Sequence, residues 1–574
     1  MAVSAFAQHV MTKNGADLIC RELIELGVQC VFGLPGTQNV RLYEAMRASG
    51  LRRVVPVDEG AAAFMAGAYA RASGRVGVLT TIPGPGFVYA LPGIVEARHD
   101  SAPIVWITLR QADLGRAFQL QRIDQAAMAA PAVKQSYFVD RPENLAPILR
   151  AAHACAIDGE PGPVLLEVDA ALLEQPAVSA AREPVRTAAV PEVAPLVAAV
   201  GASRFPVLYV GQGAQGAAEP VRMLARRLNA PVLCTSSGRG VVPDDDSLAF
   251  VQDFSTGPGS VVPSLIERSD LVLALGCKFT HNGSAGGRLA LPPAKLVRVD
   301  ACEQVLAANY PAKLAVAASV ESVLAALSSA VLPVSQWSAD ELAAMRRTLR
   351  SEIAAPIPLE PLLPDATTPS IGALFDAFAA ADDGRSIYVT DAGLHQALTR
   401  RYARVRRARG LLCPSDFQSM GFGLPGAIGA AIAVPESRVI ACLGDAALAL
   451  SLGDLMTAVR EAVDLIVVVF NDGQMNLIRR QQIANYGQES GVVVANPDFA
   501  ALAQAVGCSY FPASGDLGAL ARDVFAARGV RLVELRLADV PSLEWQRLRS
   551  VVREGVRARL PEGAVQSVRR LLGR

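Results

Sequence analysis

The 574-residue chain has few histidines, only five: His9, His99, His153, His281 and His395. It therefore relies little on imidazole for acid–base work. Its nine cysteines are scattered without a C-x-x-C pair, which argues against a zinc site and fits a reducing compartment. Net charge is lacking too: Lys+Arg and Asp+Glu both number 54, so nothing electrostatic favours nucleic acid or an anionic membrane. No uninterrupted apolar run reaches about 18 residues, so no membrane span is expected. The N-terminus lacks the basic-then-apolar layout of a signal peptide. The default expectation is a soluble cytoplasmic protein acting on small molecules.

What the chain has is core material, with 51% hydrophobic against 19% charged residues. Two Pro/Ala-rich stretches, about 175–195 and 354–369, interrupt the periodic pattern and read as linkers, because proline removes donors and breaks helices. They divide the chain into blocks of about 1–175, 190–345 and 370–545, followed by a basic tail, 546–574. Each block alternates apolar strand-like runs with helical patterns, the mark of a parallel sheet. The fold class expected is α/β, with three doubly wound parallel-sheet domains and no internal sequence repeat.

One stretch carries the chemistry. Val439-Ile440-Ala441-Cys442-Leu443 reads as a buried strand and runs into Gly444-Asp445-Ala446. Leu448, Leu452, Leu455, Met456 and Val459 then recur at helical spacing. Leu465–Phe470 reads as a second buried strand, ending in Asn471-Asp472-Gly473-Gln474. Ligands in open α/β sheets sit at the carboxyl ends of strands. Two carboxylates brought together there repel unless a cation separates them, and hard oxygens suit Mg²⁺ or Ca²⁺, with Mg²⁺ also taking phosphate oxygens. A strand-end Asp that caps the following helix is the bland alternative.

These residues resemble the Gly-Asp-Gly…Asn-Asn motif of thiamine diphosphate enzymes, in variants similar to acetolactate synthase-like members. The resemblance implies Asp445, Asp472 and the main-chain carbonyl of Gln474 as Mg²⁺ ligands, with Ala446 and Ala447 beside the cofactor. Glu59, opening Glu59-Gly60-Ala61-Ala62…Tyr69-Ala70-Arg71, resembles the family glutamate that hydrogen-bonds N1′ of the aminopyrimidine. Asp58 stands where many relatives have His. Gly393-Leu394-His395-Gln396 resembles the diphosphate-binding segment. Ser419-Met420-Gly421-Phe422-Gly423-Leu424-Pro425 resembles the segment whose methionine wedges between the cofactor rings, and Gln418, just before it, is expected to bind cofactor as well. Met420 lies 25 residues before Asp445.

On the substrate side, Gly33-Leu34-Pro35-Gly36-Thr37-Gln38 resembles the first active-site loop, so Gln38 is expected to reach substrate. Ala117-Phe118-Gln119 resembles a Phe-Gln-Glu segment, with Gln119 as the contact and Leu120 departing from the pattern. Ile123-Asp124-Gln125 and Met128…Pro131 resemble benzaldehyde lyase-like relatives. Gln481 stands where synthases often carry Trp. Gly211-Gln212-Gly213…Gly216 fits a dinucleotide loop, but the acidic residue about 20 positions on is missing. FAD is thus disfavoured without being excluded.

The resemblance implies decarboxylation of a 2-oxo acid followed by carboligation. A simple decarboxylase or a 2-hydroxyketone lyase is the alternative. No adjacent His pair occurs, which disfavours a pyruvate decarboxylase-type site. A nicotinamide oxidoreductase would rest on the middle glycine loop alone, and a non-catalytic cofactor-binding relative would not need Glu59. The resemblance also implies a homodimer or homotetramer, with Glu59 and Asp445 of different subunits serving one cofactor.

Overall fold

The computed structural model describes residues 14–177, 192–251, 260–354 and 370–537. Most of the first expected linker, nearly all of the second and the whole basic tail lie outside these residues. Three parallel sheets of six strands follow one another along the chain. The first runs, edge to edge, Arg52–Val54, Cys30–Gly33, Gly77–Thr81, Ile104–Arg110, Pro163–Asp169 and Ser136–Val139. The third runs Leu411–Leu412, Ile387–Thr390, Val439–Gly444, Leu465–Asn471, Val530–Arg536 and Ser509–Pro512.

Numbered within each sheet, both orders are 2-1-3-4-6-5, so two outer sheets share one topology without sharing a sequence repeat. The middle sheet has the order 3-2-1-4-5-6, the doubly wound arrangement of dinucleotide-binding folds. The order in which strands are added reverses between strands 1 and 3 in the outer sheets. That is where a crevice opens beyond the strand ends.

The middle sheet has its own core. The outer sheets share one, which runs through two helices, Glu59–Ser73 and Gly423–Ala433. Both are apolar all round and buried nearly throughout, as a helix without a polar face must be. Small residues set their separation: a Cβ on Gly429 would overlap the main-chain oxygen of Met65.

The helical run expected after Asp445 is broken. It forms two helices, Asp445–Ser451 and Asp454–Arg460, separated at Leu452-Gly453. Leu448 and Leu455 are buried, while Met456 and Val459 face outward. Gly453 keeps right-handed helical angles and lies close to Val57, where a Cβ would come within 3.1 Å of the Val57 Cγ2. Asp454 then accepts from the Val57 main-chain N–H at 3.2 Å, tying the third block to the loop before Glu59.

Candidate active site

In the third sheet, three adjacent strand ends deliver the chemistry-bearing residues. Strand Val439–Gly444 lies between Ile387–Thr390 and Leu465–Asn471, with Gly444 in register with Phe470. Asp445, buried, accepts from the main-chain N–H of Ala446 at 2.8 Å and of Gly473 at 2.7 Å. Asp472 accepts from the Gln474 N–H at 3.1 Å and from Asn476 Nδ2 at 2.9 Å. Burial, reinforced by the negative Asp445, pushes the Asp472 carboxyl up to about 6.

His395 sits in the first turn of helix Leu394–Tyr402, and burial pushes its imidazole down to about 4, so it is neutral at pH 7. Its ring fills the space above Gly393 and Gly444. A Cβ on Gly393 would stand 2.7 Å from His395 Cε1, and the Gly393 φ of 147° favours glycine as well. Leu394 is packed into the core behind the sheet, so it can present only main chain. Ala446 is half-buried and Ala447 buried at the start of the next helix.

Met420 is partly exposed, and its loop is pinned by Asp391. That carboxylate accepts from the N–H groups of Gly421 at 3.1 Å and Gly423 at 2.6 Å, flanking Phe422. Gln418 is turned into its own loop, donating to the Pro414 and Ser415 carbonyls at 2.6 and 2.5 Å.

In the first sheet, Glu59 opens its helix behind the N-cap Asp58, which accepts from the Ala61 N–H. Glu59 is 7% exposed, and burial raises its carboxyl above the usual range. A Cβ on Gly86 would stand 2.5 Å from Glu59 Oε1, so the Gly84-Pro85-Gly86 turn closes over the carboxyl. Gln38 does not meet Gln119. Its amide donates to Gln121, whose Cβ would lie 2.8 Å from a Cβ on Gly84. Gln119 instead donates to the Ala112 carbonyl at 3.3 Å and accepts from Arg122 at 3.1 Å. Within this loop it is Gln121, not Gln119, that meets Gln38. The cause is local: Phe118 and Gln121 both take left-handed φ, 57° and 56°, and re-aim the side chains between them.

The other residue the sequence did not flag is Asn496. Asn496-Pro497-Asp498 reads only as a turn before a helix, yet the Asn496 amide donates to Asp445 at 2.6 Å.

A cleft lies between the three blocks, lined by Gln212, Ser236, Lys278, Thr280, Asp416 and Gln418 among others. Gly211 and Gly213 there pack backbone to backbone against Gly276. Gln212 donates to the Asp100 carbonyl of the first block at 2.6 Å. Close packing within the middle block accounts for glycine at 211 and 213.

Three family models match the chain. Residues 13–128 match the N-terminal TPP binding domain of thiamine pyrophosphate enzymes, 193–327 their central domain and 391–535 their C-terminal TPP binding domain. The chain belongs to the thiamine pyrophosphate enzymes. A "Probable 2-ketoarginine decarboxylase AruI" of Pseudomonas aeruginosa is 33% identical over 92% of this chain and 94% of its own. Acetolactate synthase isozyme 1 large subunit of Escherichia coli is 30% identical over 84% and 85%. Acetolactate synthase large subunit IlvB1 of Mycobacterium tuberculosis is 29% identical over 86% and 83%. The reading of an acetolactate synthase-like thiamine diphosphate enzyme of decarboxylation and carboligation agrees with these relatives, and the nicotinamide oxidoreductase reading is set aside.

The residues fit the thiamine pyrophosphate enzyme's cofactor. Three polar atoms at this end of the third sheet are buried without a hydrogen-bond partner among the described residues: His395 Nε2, Gln474 Oε1 and Asn496 Oδ1. Such atoms are costly unless a ligand satisfies them. Among the described residues no three His, Cys, Asp or Glu side chains form a metal-binding group. A cation here would have two carboxylates and would draw its other oxygens from main chain, water and diphosphate, the set that suits Mg²⁺.

Proposed function

We propose that this thiamine diphosphate enzyme requires Mg²⁺ and acts on 2-oxo acids or related carbonyl compounds, breaking and remaking the C–C bond beside the carbonyl. The observation that carries the reading is the convergence at the third sheet's crevice. Asp445 and Asp472 end adjacent strands, neutral His395 stands beside them, and the buried acceptors there have no donor among the described residues. Asp445, Asp472 and the Gln474 carbonyl would hold the cation; His395 and the main chain at Gly393 and Leu394 would meet the diphosphate. The bound cofactor supplies a carbanion-stabilising centre. Glu59, its carboxyl raised by burial, would hold a proton toward the aminopyrimidine N1′. Met420, fixed through Asp391, would support the bend between the rings, a proximity effect. Gln38 and Gln121 would orient the substrate carbonyl.

The assignment also takes the enzyme to be a homodimer or homotetramer in which Glu59 and Asp445 of different subunits meet one cofactor. The blocks 1–175, 190–345 and 370–545 are taken as its domains, and the cytoplasm as its compartment. No helix of the described residues is long and apolar enough to cross a membrane.

Leu120 in place of a carboxylate and Gln481 in place of Trp favour an acceptor larger or less charged than pyruvate or 2-oxobutyrate. A second reading, simple decarboxylation, is favoured by the similarity to the 2-ketoarginine decarboxylase over nearly the whole chain. One experiment separates them: incubation with thiamine diphosphate, Mg²⁺ and a panel of 2-oxo acids including pyruvate and 2-ketoarginine, with CO₂, aldehydes and ligation products measured together. Mixed ligation products support the carboligase. Aldehyde and CO₂ in equal amounts support the decarboxylase. No turnover of any 2-oxo acid refutes both.

A further inference from the structure

The site's first carboxylate is held by a chain of hydrogen bonds that begins at the far edge of the third sheet. Glu534, buried on strand Val530–Arg536, accepts from Tyr510 Oη at 2.5 Å, from Arg536 Nε at 3.0 Å and from Asn471 Nδ2 at 2.6 Å. A carboxylate can only accept here, so the Asn471 amide must turn its Nδ2 toward Glu534 and its Oδ1 away. That Oδ1 accepts from Asn496 Nδ2 at 2.8 Å. The second hydrogen of the same Nδ2 goes to Asp445 Oδ2 at 2.6 Å. Both neighbours of Nδ2 are acceptors, so the orientation of the Asn496 amide is forced by the network. Its oxygen is left over, buried and without a donor among the described residues.

Asn496 reaches this place because its segment is strapped across the metal loop. Met475 N–H donates to the Val492 carbonyl at 2.8 Å and Val494 N–H to the Gly473 carbonyl at 2.9 Å. Gln482 and Ser490 exchange two hydrogen bonds, each 3.0 Å. Asp498 then caps the following helix through Ala500 and Ala501.

We infer that Asn496 is a positioning residue for the cation. Its Nδ2 fixes the Asp445 carboxylate, and its buried Oδ1 is an acceptor for a water carried on the ion. The inference rests on the thiamine diphosphate and Mg²⁺ reading above and deepens it. Two features of the site call for such a residue. Asp445 Oδ2 takes two donors, Gly473 N–H and Asn496 Nδ2, and Oδ1 takes one, Ala446 N–H, which leaves an Oδ1 lone pair open and aimed. Mg²⁺ dehydrates reluctantly and keeps water, and that water needs acceptors. Partners that orient metal ligands from outside typically govern affinity by 10–100-fold.

The test is a Mg²⁺ titration of thiamine diphosphate binding to the full chain, followed by calorimetry, for wild type, Asn496→Ala and Asn496→Ser. Serine is too short to serve both Asp445 and Asn471, so the two variants should behave alike. The half-saturating Mg²⁺ concentration should rise by roughly 10–100-fold. Cofactor affinity at saturating Mg²⁺ should change by less than about threefold, because Asn496 acts through the ion. Melting without cofactor or Mg²⁺ checks the fold, and a purely structural residue would lower Tm while leaving the Mg²⁺ midpoint in place. A folded variant with a wild-type Mg²⁺ midpoint overturns the inference. Mg²⁺-independent cofactor binding by the wild type would instead overturn the reading on which it rests.

Discussion

Glu59→Gln isolates proton transfer from binding. The substitution is nearly isosteric, which matters because the Gly84-Pro85-Gly86 turn leaves no room around the carboxyl. Glu59 is the first residue of its helix, so losing the charge forfeits about 0.3–1 kcal/mol of helix-dipole interaction. Against that, the side chain is 7% exposed and its carboxyl is raised by burial, so the charge is a cost in the folded state. A carboxyl raised in the folded state keeps its proton where the unfolded chain has lost it. Stability from this group therefore declines as pH rises above the ordinary glutamate value of about 4.3, through the raised folded value. Glu59→Gln should flatten that decline and keep the fold at pH 7.

Thiamine diphosphate affinity should also hold within about threefold, since amide and protonated carboxyl both donate. The glutamine amide cannot shuttle a proton, however. Proton–deuterium exchange at the cofactor C2, followed by NMR, should slow by at least about 100-fold, the lower end for lost general acid–base help and equal to about 2.7 kcal/mol. Exchange at the wild-type rate, with cofactor bound, would return Glu59 to a structural role.

Three other outcomes are expected. Asp391→Asn sets an NH₂ group against the N–H of Gly421 or Gly423; it should cost about 1–3 kcal/mol in denaturant unfolding and weaken cofactor binding by loosening the Met420 loop. Gly429→Ala pushes a methyl into the Met65 carbonyl where neither helix can yield, so a loss of about 3 kcal/mol is expected in the same assay, and a neutral effect would contradict the shared core of the outer sheets. Gln121→Ala should raise KM for the 2-oxo acid more than Gln119→Ala does; the reverse order in steady-state kinetics would restore Gln119 as the substrate contact.

Much of this was legible in the sequence because the third sheet's strands are short apolar runs that end in their functional residues. Val439–Leu443 and Leu465–Phe470 have to be buried, and residues at their ends have to emerge at one edge. The helix of Glu59 was legible too, since small and apolar residues on every face leave it nowhere but the core. What failed to show were features made by irregular backbone. A run of five apolar positions looked like one helix, but the helix stops at Ser451 and restarts at Asp454. The register of Gln119 and Gln121 depends on two left-handed residues that composition does not announce. Asn496 depends on a strap returning to the Asp472-Gly473-Gln474 loop from more than 20 residues away. The shared topology of the outer sheets is likewise invisible in residue types, because order in a sheet is fixed by long-range pairing.

The most direct measurement is calorimetry of thiamine diphosphate binding to the wild type and to Asp445→Ala, each with and without Mg²⁺. Asp445 accepts hydrogen bonds from Ala446, Gly473 and Asn496 and stands against Asp472, so its loss removes the site's best-held carboxylate. The account predicts binding by the wild type only with Mg²⁺, and none by Asp445→Ala under either condition. Undiminished, Mg²⁺-independent binding by Asp445→Ala would contradict it.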